Sequence, residues 1–391
     1  MTKKIETEAI RTQLKTTRYK EHSVPIYLTS GFIFDDAEEM RAAFAEELDR
    51  DLYSRYSNPN TSEFINKICK MEGAEDGFAF ASGMAAVFST FMALLKKGDH
   101  IISAKSIFGA SSKIFNDYFP KWGIETSYFL VDAPEKIKTL IRPNTKIIYA
   151  ETPTNPAVDL LDLEYLSNIA RKHRVLLIID NCFATPYLQT PIKFGADLVI
   201  HSATKLIDGQ GRVLGGITVG SKKLIREIYL LARVSGAAMS AFSAWILSKS
   251  LETLAVRVEK QCENALELAT FLSKHPKIKK VRYPFLEKDP QYNIAKKQMR
   301  LGGTIVSFEV LGGLKGGRCF FDNIKMCSLS ANLGDTRTIV THPASTTHAS
   351  VTETIKKEVG ISEGLVRCSV GLENIKDIIT DLSEALEKIK A

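Results

Sequence analysis

From about residue 61 to residue 256, short apolar runs alternate with longer stretches whose apolar residues recur every three or four positions. The runs are FAFAS, HIISAK, TSYFLV, KIIYAE, VLLIID and DLVIHSA. Several are nearly continuous in apolar residues, as strands covered on both faces tend to be. The stretches GMAAVFSTFMALLKK and LEYLSNIARKH between them carry the helical period. This alternation predicts an α/β domain built on a mostly parallel sheet. Beyond it, a long helical pattern around LETLAVRVEKQCENALELATFL, then GGTIVSFEV, LVRCSVG and a final amphipathic helix, predicts a smaller α+β domain over 257–391. Residues 1–60 are irregular apart from DDAEEMRAAFAEELD, a helix expected to start at Asp35 or Asp36. The polar, proline-bearing YSRYSNPNTSEF that follows reads as an extended arm rather than core.

Bulk properties narrow the function classes. At 391 residues the chain exceeds what one core usually absorbs, in keeping with a large and a small domain. The formal charge of +7 is spread out, and no run of Lys and Arg interleaves with aromatics, so no nucleic-acid partner is expected. Acidic small molecules or phosphate suit this balance. Six scattered cysteines without a CxxC pair point to reduced thiols, with no disulfide framework and no metal. The start MTKKIETEAIRTQLK lacks the apolar segment of a signal peptide, and no apolar run reaches membrane-spanning length. A cytoplasmic location without membrane partners is the expectation.

In open α/β sheets, ligands sit beyond the carboxyl ends of the strands, and four such ends carry unusual residues. Ser82-Gly83-Met84 follows FAFA just where a helix begins, so free N–H groups favour an anion such as phosphate. Asn155 lies in ETPTNP between two prolines, and Asp180 ends the apolar LLIID. HSATK supplies the Ser202 and Thr204 hydroxyls and then Lys205, followed by a loop with four glycines. Those glycines are expected to let the backbone pass close to a ligand. Taken singly, each feature has a plainer explanation: a helix cap, a turn asparagine, a strand-end cap, a solvated lysine. Together they form the set that pyridoxal phosphate needs: an amine for the aldehyde, an acid for the ring nitrogen and donors for the phosphate. SATK also fits the S-x-x-K of penicillin-recognising acyl enzymes, but their S-D-N and K-T-G elements do not occur in the chain.

With YSRYSNPN, ASGMAA, ETPTNP, IIDNCFATP, HSATK, HPASTTH and VRCSVGLE in order, the chain resembles the cysteine/methionine-metabolism family of pyridoxal-phosphate enzymes along nearly its whole length. The resemblance implies a fold-type I, aspartate-aminotransferase-like architecture. It also implies a homotetramer, a dimer of catalytic dimers with active sites at the dimer interface and the arm 1–60 serving the neighbouring subunit. Lys205 matches the Schiff-base lysine and proton shuttle, and Asp180 the partner of the pyridinium nitrogen. Ser82, Gly83, Met84, Ser202 and Thr204 match the phosphate cradle, while Tyr53 and Arg55 match a pair that reaches the neighbour's phosphate. Asn155 matches the residue beside the ring hydroxyl. Arg367 matches the arginine that grips the substrate carboxylate, a task suited to its planar fork.

Three departures bear on activity. Many relatives have tyrosine where this chain has Phe108, which can stack on the ring but cannot move a proton. Methionine γ-lyases characteristically have cysteine at the position of Ala110. The loop DGQGR and the segment ANLGDTRTIVTHPASTTH, with Asn332 beside the imine where lyases and synthases often have serine, are most similar to O-succinylhomoserine sulfhydrylases. The resemblance therefore implies γ-replacement: O-succinyl-L-homoserine and sulfide giving L-homocysteine and succinate, with Lys205 serving both carbon centres. Arg212 or Arg337 is the expected cation for the succinyl carboxylate. The rivals are O-acetylhomoserine sulfhydrylase, cystathionine γ-synthase and, outside the class, a cofactor-free scaffold that keeps the fold.

Overall fold

The computed structural model describes residues 3–349 and 351–390. Seven strands form the central sheet: β1 (Asp76–Phe80), β2 (His100–Ala104), β3 (Glu125–Phe129), β4 (Thr145–Glu151), β5 (Leu176–Asp180), β6 (Leu198–Ser202) and β7 (Gly216–Gly220). They lie in the order β1-β7-β6-β5-β4-β2-β3. All neighbours from β3 through β6 are parallel, and only β7 runs against the rest. β2 and β7 are buried at every residue, because helices cover both faces.

The first six strands are the apolar runs read from the sequence. The seventh was not among them: GITVG begins at Gly216, the last glycine of the stretch read as a loop after Lys205. Its glycines are there for want of space. A Cβ on Gly216 would stand 2.2 Å from the Ser82 carbonyl oxygen, and one on Gly220 would stand 2.4 Å from that of Asp197.

A second sheet follows, from β8 (Ile278–Arg282), β9 (Ile305–Val310), β10 (Ser328–Leu329), β11 (Ile339–Thr341) and β12 (Leu365–Ser369). Its order is β10-β11-β12-β9-β8. Val306, Phe308 and Val366 pack there against Leu382 and Leu386 of the helix Ile375–Glu387. The 19-residue helix Leu254–Leu272 belongs to both cores. Leu254, Val258 and Cys262 face the first, and Ala265, Leu268, Ala269 and Leu272 face the second. These positions recur at three- and four-residue spacings on one face, and the partner changes because a helix about 28 Å long runs from one core into the other.

The amino-terminal region departs from expectation in three ways. A helix spans Ile5–Arg11, and the helix capped by Asp36 ends at Phe44. The supposed arm is irregular only to Ser57: Asn58 caps the helix Pro59–Glu72, and Asn58, Asn60 and Thr61 are buried. The Asn58 side chain accepts from the amide of Asn60, while the Thr61 hydroxyl accepts from the amide of Asn58. Asn-Pro with threonine three residues after the cap is thus a helix start rather than a linker. No helix among the described residues is long and apolar enough to cross a membrane.

Candidate active site

The sheet delivers four functional strand ends to one edge. β4 and β5 finish side by side with Glu151 directly opposite Asp180, and Ser202 at the end of β6 faces Gly216. Beyond these ends lies a cavity of ≈ 230 Å³. Lys205, Asp180, Asn155 and Arg367 line it, together with Ser82, Gly83, Met84, Phe108, Ser202 and Thr204. Asn332 joins them from between the lining residues Ala331 and Leu333.

Lys205 follows the last residue of β6 by one turn. Its Nζ donates to Asn332 Oδ1 across 2.6 Å. Desolvation lowers its pKa from the ordinary lysine value, Arg367 adds to the effect, and Cys182 opposes it. A lysine so placed gives up its proton more readily than one in water.

Asp180 accepts from the Cys182 amide at 3.0 Å and from the Tyr149 hydroxyl at 3.4 Å. Burial raises its pKa. Glu151, with only 3% of its surface exposed, is pushed well above the carboxylate range by burial and by the charge of Asp180. Two carboxyl groups at adjacent strand ends resist joint ionisation, and a cationic ring nitrogen beside Asp180 would relieve that cost.

The anion end of the cavity is built for close approach. Ser82 accepts from the Ala85 amide at 3.1 Å and so opens the helix Gly83–Leu94. The amides of Gly83 and Met84 lie ahead of that bond in the first turn, where helical N–H groups lack intrahelical acceptors. A Cβ on Gly83 would stand 2.6 Å from the Ser202 Cβ, so only glycine lets the helix start lie against β6. Thr204 Oγ1 accepts from the Gly215 amide at 3.1 Å, which fixes the turn. Helix start, hydroxyls, acid and lysine fit a phosphorylated pyridine aldehyde.

Arg367, on β12, reaches across from the second sheet. It donates to Asn155 Oδ1 at 2.9 Å, to the Asn332 carbonyl at 2.9 Å and to Thr341 Oγ1 at 3.1 Å. Its Nε is buried without a hydrogen-bond partner among the described residues. Burial pushes its pKa down to about 10, still cationic at neutral pH. A buried guanidinium with a spare donor suits an incoming carboxylate. The walls between these polar groups are apolar: Val87, Phe108, Phe183, Leu214, Ala331 and Leu333.

Several expected residues lie elsewhere. Tyr53 and Arg55 do not line the cavity of their own chain. The Arg55 guanidinium stands 5.2 Å from the Tyr53 ring centre and 4.9 Å from that of Tyr56, and it donates to the Arg233 carbonyl. Arg55 borders a separate hollow of ≈ 660 Å³. Arg212 is bound to Asp208 and Ser250, and Arg337 to Asp335 and the Gln210 carbonyl. Both candidate cations for a succinyl carboxylate are thus already paired, and neither lines the cavity.

The glycines after Lys205 also serve another purpose than the expected one. Gly209 and Gly211 have φ of 69° and 65°, and a Cβ on Gly209 would meet the Arg257 guanidinium at 1.9 Å. Gly215 packs against Leu247. They make room for protein, not ligand. Glu151 and Cys182, which also line the cavity, were not singled out from the sequence. Glu151 ends an apolar run just as Asp180 does, so the signal was available. No cluster of three or more His, Cys, Asp or Glu placed to hold a metal occurs among the described residues.

Comparison with known proteins agrees with this geometry. The Cys/Met metabolism PLP-dependent enzyme family matches residues 6–387. An L-methionine gamma-lyase of Fusobacterium nucleatum subsp. nucleatum is 43% identical over 98% of this chain and 98% of its own length. An O-succinylhomoserine sulfhydrylase of Pseudomonas aeruginosa is 39% identical over 97% of this chain and 94% of its own. Among solved structures, a putative O-acetylhomoserine (thiol)-lyase of Campylobacter jejuni subsp. jejuni superposes with a TM-score of 0.94 at 33% identity, covering 98% of this chain and 99% of its own. That protein carries pyridoxyl-lysine monophosphate at its position 205. The chain belongs to the Cys/Met metabolism family, and it is an enzyme that uses pyridoxal phosphate.

Proposed function

We propose that this family member catalyses γ-replacement on an acylated homoserine, converting O-succinyl-L-homoserine and sulfide to L-homocysteine and succinate. The observation that carries this reading is Phe108, a half-exposed ring on the cavity wall with no hydroxyl to offer. A carboxylic acid has a pKa of about 4.3, so succinate departs as an anion without help. A thiol has a pKa of about 8.5 and departs more easily when protonated. A cavity that lacks the tyrosine donor therefore favours an ester over a thioether. The similarity to an O-succinylhomoserine sulfhydrylase supports the same choice.

Bound in the cavity, pyridoxal phosphate supplies an aldehyde for the substrate amine and an electron sink that acidifies its α and β carbons. The chain's own residues do the rest. Gly83 and Met84 amides, with the Ser82, Ser202 and Thr204 side chains, would hold the phosphate, and Asp180 would keep the proton on the ring nitrogen. Asn155 would meet the ring hydroxyl, and Arg367 would grip the substrate carboxylate. Lys205 is the covalent anchor. Its lowered pKa favours the amine that takes the Cα proton, and without a tyrosine it serves the next carbon too. Asn332 holds Lys205 between transfers. Tyr53 and Arg55 act in the neighbouring subunit's site, within a homotetramer of catalytic dimers in the cytoplasm.

The second reading is γ-elimination from L-methionine, favoured by the 43% identity to a methionine γ-lyase. Phe108 and Ala110 both weigh against it. The deciding experiment crosses succinyl, acetyl and phospho esters with sulfide and cysteine, and adds methionine alone. Homocysteine from the succinyl ester and sulfide is expected as the fastest product. Faster methanethiol release from methionine would make the protein a lyase. A higher kcat/KM with the acetyl ester, or cystathionine as the main product, would move it to one of the other transferases.

A further inference from the structure

Glu151 stands at the end of β4 and is almost fully buried. Its two carboxylate oxygens accept from two backbone amides, Phe108 at 2.8 Å and Asn155 at 2.9 Å. These donors belong to different loops, one after β2 and one after β4. Both residues line the cavity. Asn155 in turn accepts from Arg367 through its side-chain oxygen at 2.9 Å. One carboxylate thus joins the aromatic wall of the cavity to the arginine that reaches in from the second sheet.

Two converging N–H donors each need an acceptor oxygen, and a carboxyl group offers one to each; a cationic ring nitrogen beside Asp180 would offset the repulsion between the two acids and let Glu151 present both as acceptors. A glutamine offers one such oxygen and turns an N–H toward the second amide. Placing a carboxylate directly opposite Asp180 is costly, so packing alone gives no reason for it. We infer that Glu151 is a positioning residue, which sets the spacing of Phe108 and Asn155 about the cofactor ring and couples that spacing to Arg367. This rests on the pyridoxal-phosphate reading of the cavity, and not on which ester is the substrate.

The test titrates the cofactor-free Glu151→Gln and Glu151→Asp proteins with pyridoxal phosphate, following the visible absorption and circular-dichroism bands. Losing one hydrogen bond to a charged group should raise the cofactor Kd about tenfold in Glu151→Gln. It should also lower the visible ellipticity per bound cofactor, because the ring is held less uniquely, and raise the KM for the amino-acid substrate. Glu151→Asp keeps both oxygens and should lie nearer the parent, and it serves alone if the glutamine protein does not fold. Parent-like Kd and ellipticity in Glu151→Gln would overturn the assignment. So would an aspartate protein that folds but shows a larger defect than the glutamine one. A failure here leaves the substrate assay untouched, since cofactor binding is read without substrate.

Discussion

Lys205 Nζ and Asn332 Oδ1 lie 2.6 Å apart, and the main-chain carbonyl of the same asparagine accepts from Arg367 at 2.9 Å. One residue therefore touches both the lysine proposed to move protons and the arginine proposed to hold the substrate. Asn332→Ala should slow Cα-proton exchange about tenfold, because Lys205 loses the acceptor that orients it. Lys205→Ala should lose at least about 10²–10⁴ in turnover, together with the absorbance of the lysine-bound cofactor. Exchange of the Cα proton into deuterated water measures the first, and turnover with the visible spectrum measures the second. Near-normal turnover without Lys205 would remove it from the mechanism.

Asp180→Asn should keep the cofactor and lose most of the exchange activity, since the amide preserves shape but not the charge opposite the ring nitrogen. The same change has a pH signature in the cofactor-free protein. Burial raises the Asp180 pKa, so above the unfolded value of 3.8 the native state holds a proton that the unfolded chain has released. Stability from this group is therefore lost as pH rises through that window. The Tm of cofactor-free Asp180→Asn should gain on the parent more at pH 8 than at pH 5. A gap that narrows with rising pH would contradict the raised pKa.

Arg55→Ala should weaken cofactor retention through its neighbour's site rather than its own, since its guanidinium does not line the cavity of its own chain. Mixed with Lys205→Ala subunits, it should regain part of the activity, because a hybrid dimer can hold one intact site. Subunit exchange without rescue would argue against a shared site.

Phe108→Tyr should raise methionine γ-elimination relative to ester replacement. A positioned acid contributes about 10²–10⁴ where a leaving group needs a proton, and little where it does not. Comparing kcat/KM for methionine and for the succinyl ester in parent and variant reads this directly. An unchanged ratio would show that leaving-group protonation does not set the preference.

The sequence was most transparent where burial leaves no choice. β1, β2 and β4 to β6 are almost wholly buried, so their residues form apolar runs, whereas β3 at the sheet edge buries only Phe129; the cavity-lining side chains stand where the buried runs stop. β7 was opaque for the opposite reason: its ends must be glycine to pass the Ser82 and Asp197 carbonyls, and glycine reads as loop. Asn58 was misjudged because its polarity suggested solvent, whereas its hydrogen bonds are spent inside the protein. Glu151 carried the same signature as Asp180, an acid at the end of an apolar strand. What it holds, two amides from separate loops, is visible only in three dimensions.

The helix Leu254–Leu272 gives the molecule a single axle. Lys205 is carried by the sheet packed along one part of it and Arg367 by the sheet packed along another. An extra alanine inserted between Cys262 and Ala265 would turn everything beyond it by about 100° and advance it by about 1.5 Å. Neither apolar stripe would lose a side chain, yet the two could no longer face their cores together. The chain would then have to fray the helix or rotate its arginine away from its lysine. The length of this one segment therefore sets how the lysine and the arginine face each other.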